Sequence, residues 1–260
     1  MQNHANFGFL FRQLLGRELA SRYRTTSLGA IWLILQPLLM LGVYTLVFGS
    51  IFKTHWAGAS TTADFALVLF AGLIVFNFFS EVLVASPSIV VGQPNYVKKV
   101  VFPLEIIPIV RVSAALVTAI LSLIILLVVA TAIGQAPSLT ALYAPFIILE
   151  MAPMLLGLAW LVSALGVYLR DIAQFVGILA SVMLFLSPIF FPASSIPKSM
   201  RSMIDFNPLV TPMEQLRAVT VQHGSPDFSL LGLHFLCSIA FAVFGFYVFR
   251  RLSRGFADVL

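Results

Sequence analysis

Glu81, Arg111 and Glu150 invite a chemical reading first, because each falls within or at the edge of a long apolar run. An ionisable side chain there is costly unless it faces a protein interior, pairs, or reaches the membrane interface. Glu81 and Arg111 stand near the ends of their runs, where snorkelling explains them as well as a role does. Glu150 lies about half a dozen residues into its run and is the candidate for pairing or for lining a polar path. A proton relay needs a series of such groups, and the chain has no such series. His4, His55, His223 and His234 are scattered without ligand spacing, and the single Cys237 excludes a disulfide framework within the chain. No Gly-x-x-x-x-Gly-Lys-[Ser/Thr], His-Glu-x-x-His or Gly-x-Ser-x-Gly sequence occurs. The chain therefore carries no signature of an ATPase, a zinc protease or a serine hydrolase, and no metal or cofactor is expected on it. Any energy source lies elsewhere.

The elements that position these residues must live in lipid. Of 260 residues, 60% are hydrophobic and 10% charged, with a mean hydropathy of +1.02. Fifteen Lys and Arg and ten Asp and Glu cannot cover a globular surface in water. A spanning helix takes about 20 apolar residues, and six runs qualify: 28–52, 65–85, two within 112–149, 172–191 and 230–249. Gly134, Gln135, Ala136, Pro137 and Ser138 split the long third run, since Gly and Pro together mark a turn. Six spans put both termini on one side. Placing them in the cytoplasm assigns that side Arg12, Arg17, Arg22, Arg24, Lys98, Lys99, Arg111, Arg170, Arg250, Arg251 and Arg254, leaving Lys53, Lys198, Arg201 and Arg217 outside. That asymmetry is the positive-inside pattern. The net charge of +5 is accordingly topological and lipid-directed, and nucleic acid is not an expected partner.

The expected fold is an all-α membrane protein with one transmembrane domain over 1–260. Residues 1–27 form a cytoplasmic amphipathic helix, 28–191 hold five spans, 192–229 a reentrant helical hairpin on the outer side, 230–249 the sixth span, and 250–260 a cytoplasmic tail. At the start, Phe7, Leu10, Phe11, Leu14 and Leu15 follow helical spacing while Arg12, Gln13 and Arg17 lie on another face. That pattern suits a helix in the membrane interface, or one folded onto the protein or a partner. The 192–229 segment is too apolar for a solvated loop and too broken for a span. A short helix over 194–204, a turn at Asn207-Pro208-Leu209, and a second helix are expected there. Thr211-Pro212-Met213-Glu214 supplies the second start, with Thr as N-cap and Glu three residues on. Such a hairpin enters the membrane only if protein or a watery cavity surrounds it; an external cap with no path role is the alternative. Tyr44, Phe48 and Phe52 recur every four residues at the outer end of the first span, with Trp32 deeper. They fit a lipid-facing aromatic belt, or a path for sugar rings, whose CH faces stack on aromatic faces.

Arg22-Tyr23-Arg24-Thr25-Thr26-Ser27-Leu28-Gly29-Ala30-Ile31-Trp32, followed by Gln36-Pro37-Leu38, resembles the opening of the ABC-type permeases that export polysaccharides, the O-antigen, capsule and teichoic-acid class. Tyr96-Val97-Lys98-Lys99-Val100-Val101-Phe102-Pro103-Leu104-Glu105-Ile106 resembles their loop after the second span, although Leu104 stands where they commonly have a basic or polar residue. Tyr168-Leu169-Arg170-Asp171-Ile172 resembles their loop between spans four and five, and Asn207-Pro208-Leu209 with Glu214, Arg217 and Ala218 their outer hairpin.

The resemblance implies a homodimer in the bacterial inner membrane, joined by two copies of a separate ATPase that binds ATP and Mg. ATP hydrolysis there would drive a lipid-linked glycan through a channel between the two copies. By the same resemblance Tyr96, Lys98, Lys99, Phe102, Glu105, Arg170 and Asp171 dock the ATPase. Arg17, Arg22 and Arg24 meet the lipid pyrophosphate as it enters. Trp32, Tyr44, Phe48, Phe52 and Glu150 line the substrate path, and Asn207, Pro208, Glu214 and Arg217 belong to the outer gate. A permease for a lipid or drug is a close variant. An integral-membrane enzyme acting on lipid-linked sugars would need clustered acidic or His groups, which Glu81, Glu150 and Asp171 do not form.

Overall fold

The computed structural model describes residues 4–24, 29–47, 61–98, 102–195, 201, 204 and 206–260. Phe48, Phe52 and Lys99, the side chains of Arg22, Arg24 and Tyr44, and most of the helix expected over 194–204 lie outside the described residues.

Among the described residues the chain is helical and contains no strand. The helices are α1 (His4–Arg24), α2 (Trp32–Tyr44), α3 (Thr62–Ala85), α4 (Pro94–Lys98), α5 (Ile106–Ala132), α6 (Ala144–Glu150), α7 (Ala152–Tyr168), α8 (Ile172–Leu186), α9 (Val210–Thr220), α10 (Phe228–Leu252) and α11 (Phe256–Val259). Among the described residues, four helical stretches are long and apolar enough to cross a membrane: Thr62–Ser88, Ile106–Ala132, Leu139–Tyr168 and Phe228–Val259. Ile34–Val47 and Ile172–Leu186 are apolar but shorter. The stretch expected to span 172–191 leaves the helix at Ser187, whose φ of −91° and ψ of 146° are extended. Pro188 is the cause, because a proline pushes the residue before it out of the helical region.

Local chemistry sets the other boundaries. Thr61 and Asp64 form a reciprocal capping box at the start of α3. Gly134, at a φ of 87°, turns the chain after α5 within the expected 134–138 break. The Gln135 amide then donates to Asp64, fastening the end of α5 to the start of α3. Leu139–Tyr168 is assembled from a 3-10 turn, α6 and α7, with Pro153 in the first turn of α7. Asp227 caps α10, accepting from Ser229 and from the Leu230 N–H. Those bonds hold its carboxyl below the usual carboxylate range.

The core is built around α3, which is buried continuously from Asp64 to Phe76. α5, α7, α8 and α9 pack around it. α7 and α10 cross on bare backbone: a Cβ on Gly157 would lie 2.7 Å from the Phe241 carbonyl oxygen, and one on Gly245 would press into Gly157 itself. Backbones that close are the small-residue packing of membrane helices. The other faces of α8 and α10 stay open and apolar, with Phe175, Ile178, Val182 and Phe185 on one and Leu233, Leu236, Val243 and Tyr247 on the other. Water cannot cover such a surface, and lipid or a second chain must.

Helix α1 uses its apolar stripe as a docking face. Leu10, Phe11, Leu14 and Leu15 pack against Ile106, Ile107 and Val110 of α5, while Phe9 is 70% exposed. Of the two arrangements the spacing allowed, folding onto the protein accounts for four of the five stripe residues.

Candidate functional site

Polar side chains gather at the two ends of the bundle. At the end formed by the starts of α3, α6 and α10, Arg217 of α9 is 0% exposed. Its Nε donates to the Val68 carbonyl at 3.0 Å, Nη1 to the Pro188 carbonyl at 2.6 Å and to Glu214 at 2.9 Å, and Nη2 to the Ile189 carbonyl at 3.2 Å. The planar fork thus holds α9 to α3 and to the segment after α8 at once. Gly72, one turn beyond Val68, leaves the room: a Cβ there would lie well inside 3.0 Å of Nη2. Burial pushes the guanidinium down to about 10 and Glu214 opposes that, so it stays charged at neutral pH.

Asn207 is also buried. Its Nδ2 donates to Ser187 Oγ at 3.0 Å and to the Leu186 carbonyl at 3.3 Å, and its Oδ1 accepts from the Leu209 N–H at 2.9 Å. This turn corrects the expected helix start. α9 begins at Val210 behind Leu209, not behind Thr211, and no side chain caps it. The Asn207 turn delivers the backbone in helical form before Thr211 is reached, and Glu214 turns to Arg217 instead of closing a capping box.

The Pro208 carbonyl accepts from His234 Nε2 of α10 at 2.8 Å, and His234 Nδ1 meets Glu150 Oε1. A carbonyl only accepts, so Nε2 carries a proton; the contact with Glu150 needs another, borne by the imidazole or by the carboxyl. Glu150 Oε2 is buried with no partner among the described residues. Glu150 is therefore paired, and its partner His234 is a residue that spacing along the chain did not single out.

The opposite end holds α1, α4, the starts of α5 and α8, and the C-terminus. Arg111 Nη1 binds Glu18 of α1 at 2.7 Å, and Nη2 lies 3.9 Å from Glu81 of α3. Glu81 and Arg111 thus meet each other as well as Glu18, which the sequence did not mark. Leu14, Arg17, Glu18, Gln93, Ile107 and Arg111 line a cleft of about 320 Å³ beside them. Tyr96 and Phe102 stack at 4.4 Å, bringing the two sides of the α3–α5 loop together, and Lys98 is exposed. Glu105 precedes α5, and its carbonyl accepts from Trp160 Nε1 at 3.2 Å. Arg170 and Asp171 are exposed in the α7–α8 turn. Tyr168 donates to the Leu252 carbonyl at 2.8 Å and packs on Phe256 of α11, which touches α4. Trp32 opens α2 half-buried. Among the described residues, the structure therefore brings those expected to dock a partner to one end and the expected gate residues to the other.

A family model described as ABC-2 type transporter matches residues 9–221. The chain is 31% identical over 220 residues to the O-antigen export system permease protein RfbA of Myxococcus xanthus, covering 84% of this chain and 82% of that one. It is 24% identical over 259 residues to an O-antigen export system permease protein RfbA of Klebsiella pneumoniae, covering 98% and 97%. The capsule polysaccharide export inner-membrane protein CtrC of Neisseria meningitidis is 23% identical over 248 residues, covering 93% and 90%.

Proposed function

Since the chain belongs to the ABC-2 type transporter family, we propose that it is the membrane permease subunit of an ATP-driven exporter that moves a lipid-linked, O-antigen-like polysaccharide across the bacterial cytoplasmic membrane. The observation that carries this reading is the likeness to an O-antigen export permease over more than four fifths of both chains. The chain is the passage and not the motor, and ATP with Mg belongs to a separate ATPase present in two copies. Two copies of the permease enclose the channel.

In this reading α2 and α8 complete six spans with the four long stretches. Both termini are cytoplasmic, which agrees with Arg12, Arg17, Lys98, Arg170, Arg250 and Arg251 at one end of the bundle. α1 lies at the cytoplasmic interface with Phe9 toward lipid, and Arg17, Arg22 and Arg24 attract the lipid pyrophosphate. Tyr96, Lys98, Lys99, Phe102, Glu105, Arg170 and Asp171 receive the ATPase. An exposed cation beside a stacked aromatic pair suits a docking surface. Asn207, Pro208, Glu214 and Arg217 hold the outer gate, a reentrant hairpin supported by the burial of α9 among α3 and the end of α8. Trp32, Tyr44, Phe48, Phe52 and Glu150 remain the proposed path residues.

Purification of the chain from its native membrane in mild detergent, with mass spectrometry of what accompanies it, tests the assignment. A stoichiometric ATPase subunit is expected. If the chain emerges alone under conditions that keep other such complexes together, the exporter reading loses its motor.

A further inference from the structure

The burial of α3 is broken along one stripe. Asn77, Glu81, Val84 and Ser88 follow one another at helical spacing; Asn77, Val84 and Ser88 are exposed, and Glu81 and the adjoining Ser80 are half-buried. Phe70 and Leu73 continue the same stripe in the other direction and are each 2% exposed. The helix is therefore open and polar from Asn77 to its Ala85 end, and closed and apolar beyond.

Asn77 lies roughly 12 Å along the axis from Ala85 at 1.5 Å per residue, well inside a hydrocarbon layer of about 30 Å. Its side chain makes no hydrogen bond to any described residue. A carboxamide turned to acyl chains would leave two donors and an acceptor unmet, so such groups face protein or water. The stripe also joins the cytoplasmic cleft: Glu81 lies beside Arg111, which lines that cleft, and Ile89, next to Ser88, lines it too. An apolar interface with a second copy would present a run of large exposed apolar side chains, and along this stripe only Val84 is one.

Resting on the permease reading, we propose that this stripe is the inner wall of the passage for the hydrated glycan, with Asn77 as a positioning residue at its limit. Its amide and carbonyl bond sugar hydroxyls just before Leu73 and Phe70 close the way. A carboxamide both donates and accepts, so it follows successive hydroxyls without demanding one sugar.

The test places a single cysteine at position 77 in a Cys237→Ser background, with Val182→Cys on the apolar face of α8 as a lipid-facing control. Inverted membrane vesicles receive either a charged, impermeant thiol reagent or a lipid-soluble one. Asn77→Cys should react with the charged reagent and Val182→Cys with the lipid-soluble one only. Asn77→Leu should lower surface glycan about tenfold, the loss expected for one hydrogen bond, while Asn77→Gln retains export and both variants still copurify with the ATPase. Labelling of position 77 by the lipid-soluble reagent alone, its cross-linking only to a second copy, or normal export by Asn77→Leu would overturn the proposal. Deletion of the chain separates the two readings. Undiminished glycan in the deletion strain refutes the permease role itself, whereas loss on deletion with normal export by Asn77→Leu refutes only the stripe.

Discussion

Arg217→Met removes the fork that holds α9 in place, and the consequence can be worked from its partners. The Val68 carbonyl keeps its own helical bond within α3. The Pro188 and Ile189 carbonyls are buried in a non-helical segment and accept from no other described donor. Each orphaned buried acceptor costs about 1–3 kcal/mol, which makes roughly 2–6 kcal/mol for the two. Removing a desolvated cation returns part of that, so the lower half of the range is expected. Glu214 is 36% exposed and rehydrates, adding little. At roughly 2–4 °C per kcal/mol for a chain of this size, the melting temperature in detergent should fall by at least about 4 °C. Fluorescence-detected gel filtration after heating reads this directly. Arg217→Lys should fall between, since one ammonium cannot serve four separated acceptors. Gly72→Ala offers the decisive cross-check, because its Cβ would occupy the space of Nη2. In the native background it should cost about 1–3 kcal/mol through overpacking, and in an Arg217→Ala background close to nothing. Native melting by Arg217→Met, or additive losses in the Gly72 and Arg217 pair, would refute the reasoning.

Three further outcomes are expected. Gly245→Leu should prevent close approach of α7 and α10 and lower the yield of folded protein, read as loss of the monodisperse peak, whereas Gly232→Leu, which meets open space, should not. Lys98, Lys99 and Phe102 replaced together by Ala should abolish ATPase copurification while membrane insertion persists; unchanged copurification would remove these residues from the docking surface. The Asp227 cap is pH-dependent with a definite sign. Its carboxyl is depressed in the folded chain, so its contribution is present above the unfolded value and lost as pH falls through the folded one. Hydrogen-exchange protection of the Ser229 and Leu230 amides should hold from neutrality to pH of about 5 and drop only below about 4, and Asp227→Ala should lack it throughout.

Much of the bundle was legible because lipid makes the pattern simple. Four of the six apolar stretches became helices long enough to cross a membrane, and Gly134 with Pro137 marked the break after α5 because those residues act within the turn itself. The candidate sites were legible in kind but not in partnership. Arg217 counts in the sequence among basic residues outside the membrane, yet its anchor Val68 is 149 positions away, and nothing near either residue announces the other. Glu150 and His234 are 84 positions apart. The sequence signal that joins them is depth: each stands in the half of its stretch nearer the same end, and comparing registers between spans, in place of spacing within one, would have brought them together. Thr211 failed as a cap although its local pattern was correct, because the Asn207 side chain began the turn upstream. Docking of α1 on α5 likewise turned on a surface that a moment along one helix cannot see.

The contact of α7 and α10 has a mechanical corollary. Gly157 and Gly245 bring the two backbones together without intervening side chains, Tyr168 with the Leu252 carbonyl joins them at one end, and Glu150, which closes α6 just before α7, meets His234 at the other. With no side-chain layer between the crossing backbones to repack, the pair packs as one strut. A second weld, where Gly166 presses on the backbone of Pro87, ties that strut to the end of α3. Any relative sliding of the two helices, or of α7 on the end of α3, therefore has to separate backbones that lie in direct contact.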